Sequence, residues 1–361
     1  MRTVLVALSL LLLGGCSTVA YYTQTVTGQL GVMAATRPLD EVIDDPQTPP
    51  HIRQRLTQLA RLRAFATDEL GLPDNASYRG YAELQREAMV WSLVAAPRYD
   101  LQPRQWCYPV IGCASYRGYF DRADAQAHAA RLADEGWDVA IEAVPAYSTL
   151  GWFDDPLPST VIEWPLDAFA GLLFHELTHQ RLYVAGDSDF NEAYATVVER
   201  EGVSRWLRVA GDDALRAAHA QRVLRQQQFL ELVASTRSRL EALYVRDMAD
   251  AQRAVDKAAT FAALQDGYRR LRAGWSGYAG YDAWFDRALN NAHVAGIATY
   301  NRWEPALREL LSQHDGDFKA FHAACAALAK LPDEQRDRAL KRLAEQAALR
   351  HAVGTSVEPP A

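Results

Sequence analysis

The sequence predicts an α+β protein: a mixed N-terminal region with a small sheet, then a pair of helices bearing a candidate metal site, then a mainly helical C-terminal region. Three observations predict it. Residues 76–164 are rich in aromatic and β-branched side chains, and Ala88–Ala95 and Val139–Val144 read as strands. Leu166–Tyr183 and Glu192–Val209 look helical. Everything after Asp212 favours helix.

In chain order, Arg2 gives a short positive start, Val4–Leu13 is an apolar run, and Gly14-Gly15 precede Cys16. This pattern is a secretory signal covering residues 1–15, too short for a spanning helix. Leu13-Gly14-Gly15-Cys16 resembles the bacterial lipobox, which implies cleavage before Cys16 and lipidation of Cys16. Several acyl chains would anchor the protein stably to a membrane. By the same resemblance Ser17 favours the outer membrane of a Gram-negative envelope, with the body facing the periplasm. Residues 16–50 read as anchor and tether, with a short helix around Gly28–Ala35 and prolines at 46, 49 and 50.

Residues 51–211 form the expected α+β catalytic region. It opens with a helix over Ile52–Leu70, stopped by Gly71 and Pro73. Ala123–Glu135 is a helix between the two strands. Tyr147–Trp164 is extended or irregular, with Gly151, Pro156 and Pro158. Residues 212–350 form the helical region, with helices over Leu215–Ala249, Ala251–Ala273, Ala283–Leu311 and Phe318–Leu349. Gly274-Trp275-Ser276-Gly277 and Pro332 interrupt it. Residues 351–361 read as a disordered tail.

Composition excludes some functions. The chain has 361 residues, 49% hydrophobic and 23% charged, with net charge −7. That is ordinary for a globular protein, and no basic stripe offers nucleic acid a surface. Nothing in the sequence fixes the oligomeric state. In an oxidising compartment Cys107 and Cys113, enclosing a loop with Pro109 and Gly112, are expected to form a disulfide. Cys325 reads as a buried thiol in an Ala-rich helix.

The chemistry concentrates at His175-Glu176-Leu177-Thr178-His179, an H-E-x-x-H pattern. Four residues on a helix advance about 400°, so both imidazoles leave one face, one turn apart. That spacing suits two nitrogens on one tetrahedral cation. Glu176 is offset by about 100°, where it can activate a water rather than bind the metal. Phe169, Leu172, Leu173, Phe174 and Leu177 make the helix apolar, and polar groups inside such a helix are costly unless paired or bound. Gly186-Asp187-Ser188 reads as a turn, with Ser188 or Asp189 capping a second helix that returns Glu192 as third ligand. Glu199 and Glu201 are rival ligands. Glu199, seven residues after Glu192 on the same face, could instead orient a histidine.

His175–His179 followed by Phe190-Asn191-Glu192-Ala193-Tyr194-Ala195 resembles the gluzincin metallopeptidases, whose third ligand is the Glu of an Asn-Glu motif on the next helix. More narrowly, the whole chain resembles a bacterial family of lipoprotein-like zinc aminopeptidases. The lipobox, Tyr147–Pro156, the His-Glu pattern and Leu289-Asn290-Asn291-Ala292 carry that likeness. The resemblance implies a gluzincin-like fold, one Zn²⁺ per chain, a peptide substrate, and hydrolysis with Glu176 as base. It points to Tyr300 or His293 for the oxyanion, and to an extended segment near Gly151 for the substrate backbone. Glu163 is the nearest candidate for a substrate ammonium. Two departures stand out. Only twelve residues separate His179 from Glu192, and Thr196 occupies a position where thermolysin-like patterns carry Asp. Three readings compete: an aminopeptidase, an endopeptidase or cell-wall peptide amidase, and a non-catalytic zinc-binding lipoprotein.

Overall fold

A computed structural model describes residues 2–108, 112–298 and 302–355. The chain is α+β and mostly helical, with small sheets. The elements run α1 (Arg2–Ala34), β1 (Thr36–Pro38), α2 (Leu39–Asp44), α3 (Pro50–Asp68), β2 (Gly80–Ala82), β3 (Val90–Pro97), β4 (Trp106–Tyr108), β5 (Gly112–Ala114), β6 (Arg117–Tyr119), α4 (Arg122–Asp134), β7 (Trp137–Val144) and β8 (Leu157–Pro158). Then come α5 (Leu166–Arg181), α6 (Ser188–Ala210), α7 (Asp213–Tyr244), α8 (Asp250–Ala273), α9 (Asp282–Phe285), α10 (Asn291–Ala298), α11 (Glu304–Gln313), α12 (Phe318–Ala329) and α13 (Asp333–Thr355).

The helix expected near Gly28–Ala35 is the end of the longer α1. Within the segment read as a tether, β1 and α2 are ordered, and Val32, Leu39 and Val42 are buried. Apolar side chains so close to the tether gain more by joining the core than by staying in water. The Cys16 side chain and residues 356–361 of the expected tail lie outside the described residues. Among the described residues, no helix is long and apolar enough to cross a membrane.

The main sheet has the order β6-β3-β7, antiparallel throughout. Successive side chains of β3 leave opposite faces. Leu93 and Ala95 meet Ala125, Ala129 and Leu132 of α4, while Val94 and Ala96 meet Ala292 and Ala295 of α10. Both faces are covered, which explains the unbroken apolar run. The Asn-Asn pair fastens α10 to this sheet. Asn290 Nδ2 donates to Val139 O at 2.9 Å, and Asn291 Nδ2 donates to the carbonyls of Pro97, Arg98 and Asp100 at 2.9–3.1 Å. Ala283–Leu311, expected as one helix, divides into α9, α10 and α11. Asn290 Oδ1 accepts from Ala292 N and starts a new helix, and Pro305 stands in the first turn of α11.

A second small sheet, β1-β2-β8, leads the chain into α5. Two residues of β8 pair with β2, too few for a periodic signal. Cys107 and Cys113 are joined by a disulfide across the β4–β5 hairpin. The largest core gathers α3, α5, α6, α11, α12 and α13 around Leu59, Phe169, Phe174, Phe190, Tyr194, Leu307 and Phe321. A separate cluster joins α7, α8 and α9, with Tyr268 stacked on Phe285 at 3.9 Å and Phe229 on Tyr281 at 4.3 Å.

Candidate metal centre

Helices α5 and α6 form the site. Asp167 in the first turn of α5, and His179 and Arg181 in its last, suit the helix dipole. Phe169, Leu173, Phe174 and Leu177 bury one side of it. Two glycines permit close approach of the pair. A Cβ on Gly171 would sit 3.2 Å from Glu199 Oε1, and one on Gly202 would sit 3.0 Å from the Phe174 ring.

The link between these helices is short. Asn191 spans it, accepting from Val184 N and donating to Val184 O, both at 2.8 Å. The cap of α6 is Asp187, not Ser188 or Asp189: its carboxylate accepts from Phe190 N at 3.0 Å. Arg336 of α13 braces Asp187 from behind, with Nε 2.7 Å from Oδ2. The Asn of the Asn-Glu pair thus fixes the turn that aims the Glu.

Glu192 points back at both histidines. His175 Nε2 lies 3.2 Å from Glu192 Oε2, and His179 Nε2 lies 3.7 Å from Glu192 Oε1. One donor atom from each of His175, His179 and Glu192 lies within 4.8 Å of the others. Glu199 Oε2 stands 3.0 Å from His175 Nδ1. A proton on Nδ1 donated to Glu199 leaves the Nε2 lone pair facing inward, the usual arrangement of a carboxylate behind a metal-binding imidazole. Among the described residues, these two imidazoles and one carboxylate form a group that could hold a metal ion.

Electrostatics separate the groups. Burial pushes Glu176 up to about 7, and Glu192 adds to that against the pull of His175. Burial pushes His179 down to about 4, and its neighbour Glu192 only partly opposes this. Burial also disfavours charge on His175, but Glu192 and Glu199 together outweigh it and raise its proton affinity. Burial opposes the charged form of Glu192 as well, yet the two histidines hold its carboxyl below the usual range. His179 Nδ1 is buried with no hydrogen-bond partner among the described residues.

Other predicted residues lie elsewhere. Tyr300 lies outside the described residues. His293 is occupied by Asn290, whose Oδ1 is 3.0 Å from its Nδ1, and stands edge-on to Trp284. Glu163 is exposed and pairs with His51 at 3.2 Å. Glu201 accepts from Arg205 Nε at 2.7 Å rather than joining the centre. Gly151 has φ of +81° in an exposed loop, and a Cβ there would meet nothing within 4 Å. That loop hangs from α5, because Asp155 Oδ2 accepts from both Thr149 N at 2.8 Å and Gln180 Nε2 at 3.1 Å. It presents Trp152, 70% exposed, and Phe153.

Sequence reasoning missed two phenols. Burial raises the proton affinity of Tyr183, and for both Tyr183 and Tyr116, the latter 40% exposed, the strongest charged neighbour is Glu192. Neither sits in a motif, so no sequence signal marks them. A cavity of about 1310 Å³ lies beside the start of α6 and is lined by Asp187, Asp189, Arg200 and Arg302; it touches none of the three converging residues.

No curated protein and no solved structure matches the chain. A family model does, across residues 20–340. That span holds the helix pair, the main sheet and the helical region together, and the chain belongs to the family described as putative aminopeptidase.

Proposed function

We propose that the protein is a zinc metallopeptidase, an aminopeptidase on short peptides, tethered to the envelope through lipidated Cys16 and facing the periplasm. The observation that carries the reading is the convergence of His175, His179 and Glu192 with an acid, Glu176, one residue beyond the first histidine. Family membership supports the peptidase activity and its aminopeptidase direction. The donor set supports zinc.

His175, His179 and Glu192 would hold the ion, and Glu199 would fix the His175 ring through Nδ1. A zinc ion bound there supplies a Lewis acid that makes water more acidic and polarises a carbonyl. Glu176 accepts the proton of the attacking water and returns it to the leaving amine. Tyr183, whose strongest charged neighbour is Glu192, is a phenol available to donate to the developing oxyanion.

The test measures metal content and peptidase rate together for wild type and Glu176→Gln. The variant should retain one zinc per chain and lose turnover by roughly 10²–10⁴-fold. Aminoacyl fluorogenic substrates, with and without a blocked amino terminus, report direction. A Glu176→Gln variant as fast as wild type refutes the mechanism, and cleavage of blocked peptides alone refutes the aminopeptidase assignment.

A further inference from the structure

Gln180 lies four residues after Glu176, on the same face of α5. Its Nε2 donates to Ser77 Oγ at 3.1 Å, and its Oε1 accepts from Asn75 Nδ2 at 2.7 Å. The segment 75–78 is thereby laid along the face that carries Glu176. Arg63 of α3, buried, clamps the same segment from the other side. Its guanidinium donates to the carbonyls of Ser77 and Pro73 at 3.1 Å each and Asn75 at 2.9 Å. The Tyr78 amide donates to Asp155 O at 2.6 Å. Tyr78 is therefore fixed on three sides.

Two features of Tyr78 work against stability. Its φ is +60°, a left-handed conformation that a bulky side chain adopts only at a cost. Its ring is 2% exposed, and its hydroxyl has no hydrogen-bond partner among the described residues. Buried phenols ordinarily find a partner. A phenylalanine would fill the same space without stranding a donor, so packing does not account for the hydroxyl. The two carboxylates that act on it are Glu176, the stronger, and Asp155. Asp155 accepts from Thr149 N and Gln180 Nε2 through Oδ2, and no hydrogen bond joins either carboxylate to the phenol.

We infer that Tyr78 is a positioning residue for Glu176, its fixed hydroxyl donating a hydrogen bond to the Glu176 carboxylate when that group turns to meet the attacking water. The phenol stays protonated throughout and holds the carboxylate in one orientation while the proton moves. The inference rests on Glu176 acting as the base.

The experiment compares wild type, Tyr78→Phe, Glu176→Gln and the double variant, each full length, by thermal unfolding with and without zinc and by steady-state kinetics. Phenylalanine keeps the ring and its burial. Tyr78→Phe should keep its zinc and its KM within about twofold and lose about tenfold or more in kcat. Added to Glu176→Gln, it should change residual turnover by less than about twofold, and the Tm shifts of the single variants should not add in the double. Additive Tm shifts in both conditions overturn the inference, as does an unchanged kcat in Tyr78→Phe of an active enzyme. If wild type hydrolyses no peptide, the metallopeptidase reading fails by itself, and the thermal cycle alone decides whether Tyr78 and Glu176 interact.

Discussion

Helix α5 carries a histidine–carboxylate cluster at each end, and the two are built on opposite plans. At its start, Asp167 is almost wholly buried and meets His219 Nδ1 and Arg222 Nε of α7, both at 2.9 Å. Burial opposes the Asp167 charge, but these partners more than compensate and hold its carboxyl at about 2. One buried acid thus faces a permanent cation. Two turns further on, His175 and His179 face Glu192, Glu199 and Glu176, and no Lys or Arg pairs with any of those acids among the described residues. A cluster of acids without a fixed cation is costly to bury. The first cluster is complete from the protein's own side chains and locks α7 onto α5. The second is short of positive charge, and a divalent ion would supply it. The same residue types therefore read as architecture at one end and as chemistry at the other, and the deciding feature is whether an arginine arrives.

Breaking the second cluster should have the largest effect. Glu192→Ala should abolish stoichiometric zinc binding, measured by metal analysis after dialysis, and with it more than about 10³-fold of the peptidase rate. Full zinc content in that variant would contradict the ligand set.

Breaking the first cluster should cost stability and leave zinc content alone. Asp167→Asn should destabilise by about 2 kcal/mol, under the ~3–5 kcal/mol of a fully buried pair, because His219 and Arg222 reach water. The sign of its pH dependence follows from the depressed carboxyl. The folded value, about 2, lies below the unfolded one of about 3.9, so the contribution is complete above about pH 4 and disappears as pH falls through about 2. Denaturant unfolding of wild type against Asp167→Asn across that window should converge at the acid end. A gap that stays constant would mean Asp167 is not the titrating group.

The smallest effect sharpens the contrast. Glu199→Gln should weaken zinc affinity by about 10–100-fold without changing the stoichiometry at saturating metal. Competition with a chromogenic chelator reads it. Loss of stoichiometry instead would make Glu199 a ligand rather than the partner of His175 Nδ1.

Much of the metal centre was legible in the sequence because it depends on short-range geometry. His175 and His179 share a face by helical periodicity alone, and Asn191-Glu192 announces a return helix. The two long strands were legible from aromatic and β-branched content, and α3 from its apolar spacing. The sheet β1-β2-β8 was not, since pairs of two or three residues leave no period. The structural role of the Asn290-Asn291 pair was not legible for a different reason. The two asparagine side chains satisfy backbone carbonyls of β3 and β7, a role that depends on partners about 150 to 195 residues away in sequence, and His293 pairs with Asn290.

The sequence by itself determined which residues could bind an ion, because four residues of helix set the angle between two side chains. Tertiary structure alone decided which acid reaches them, how the six-residue link is closed by Asn191, and why Glu201 turns to Arg205 while Glu199 turns to His175. It also decided that Tyr78 is held with a stranded hydroxyl along the Glu176 face, through Arg63, Gln180 and Asp155 from three separate elements. Such placements depend on where helices cross and which charges burial leaves uncompensated, and neither is written in local spacing.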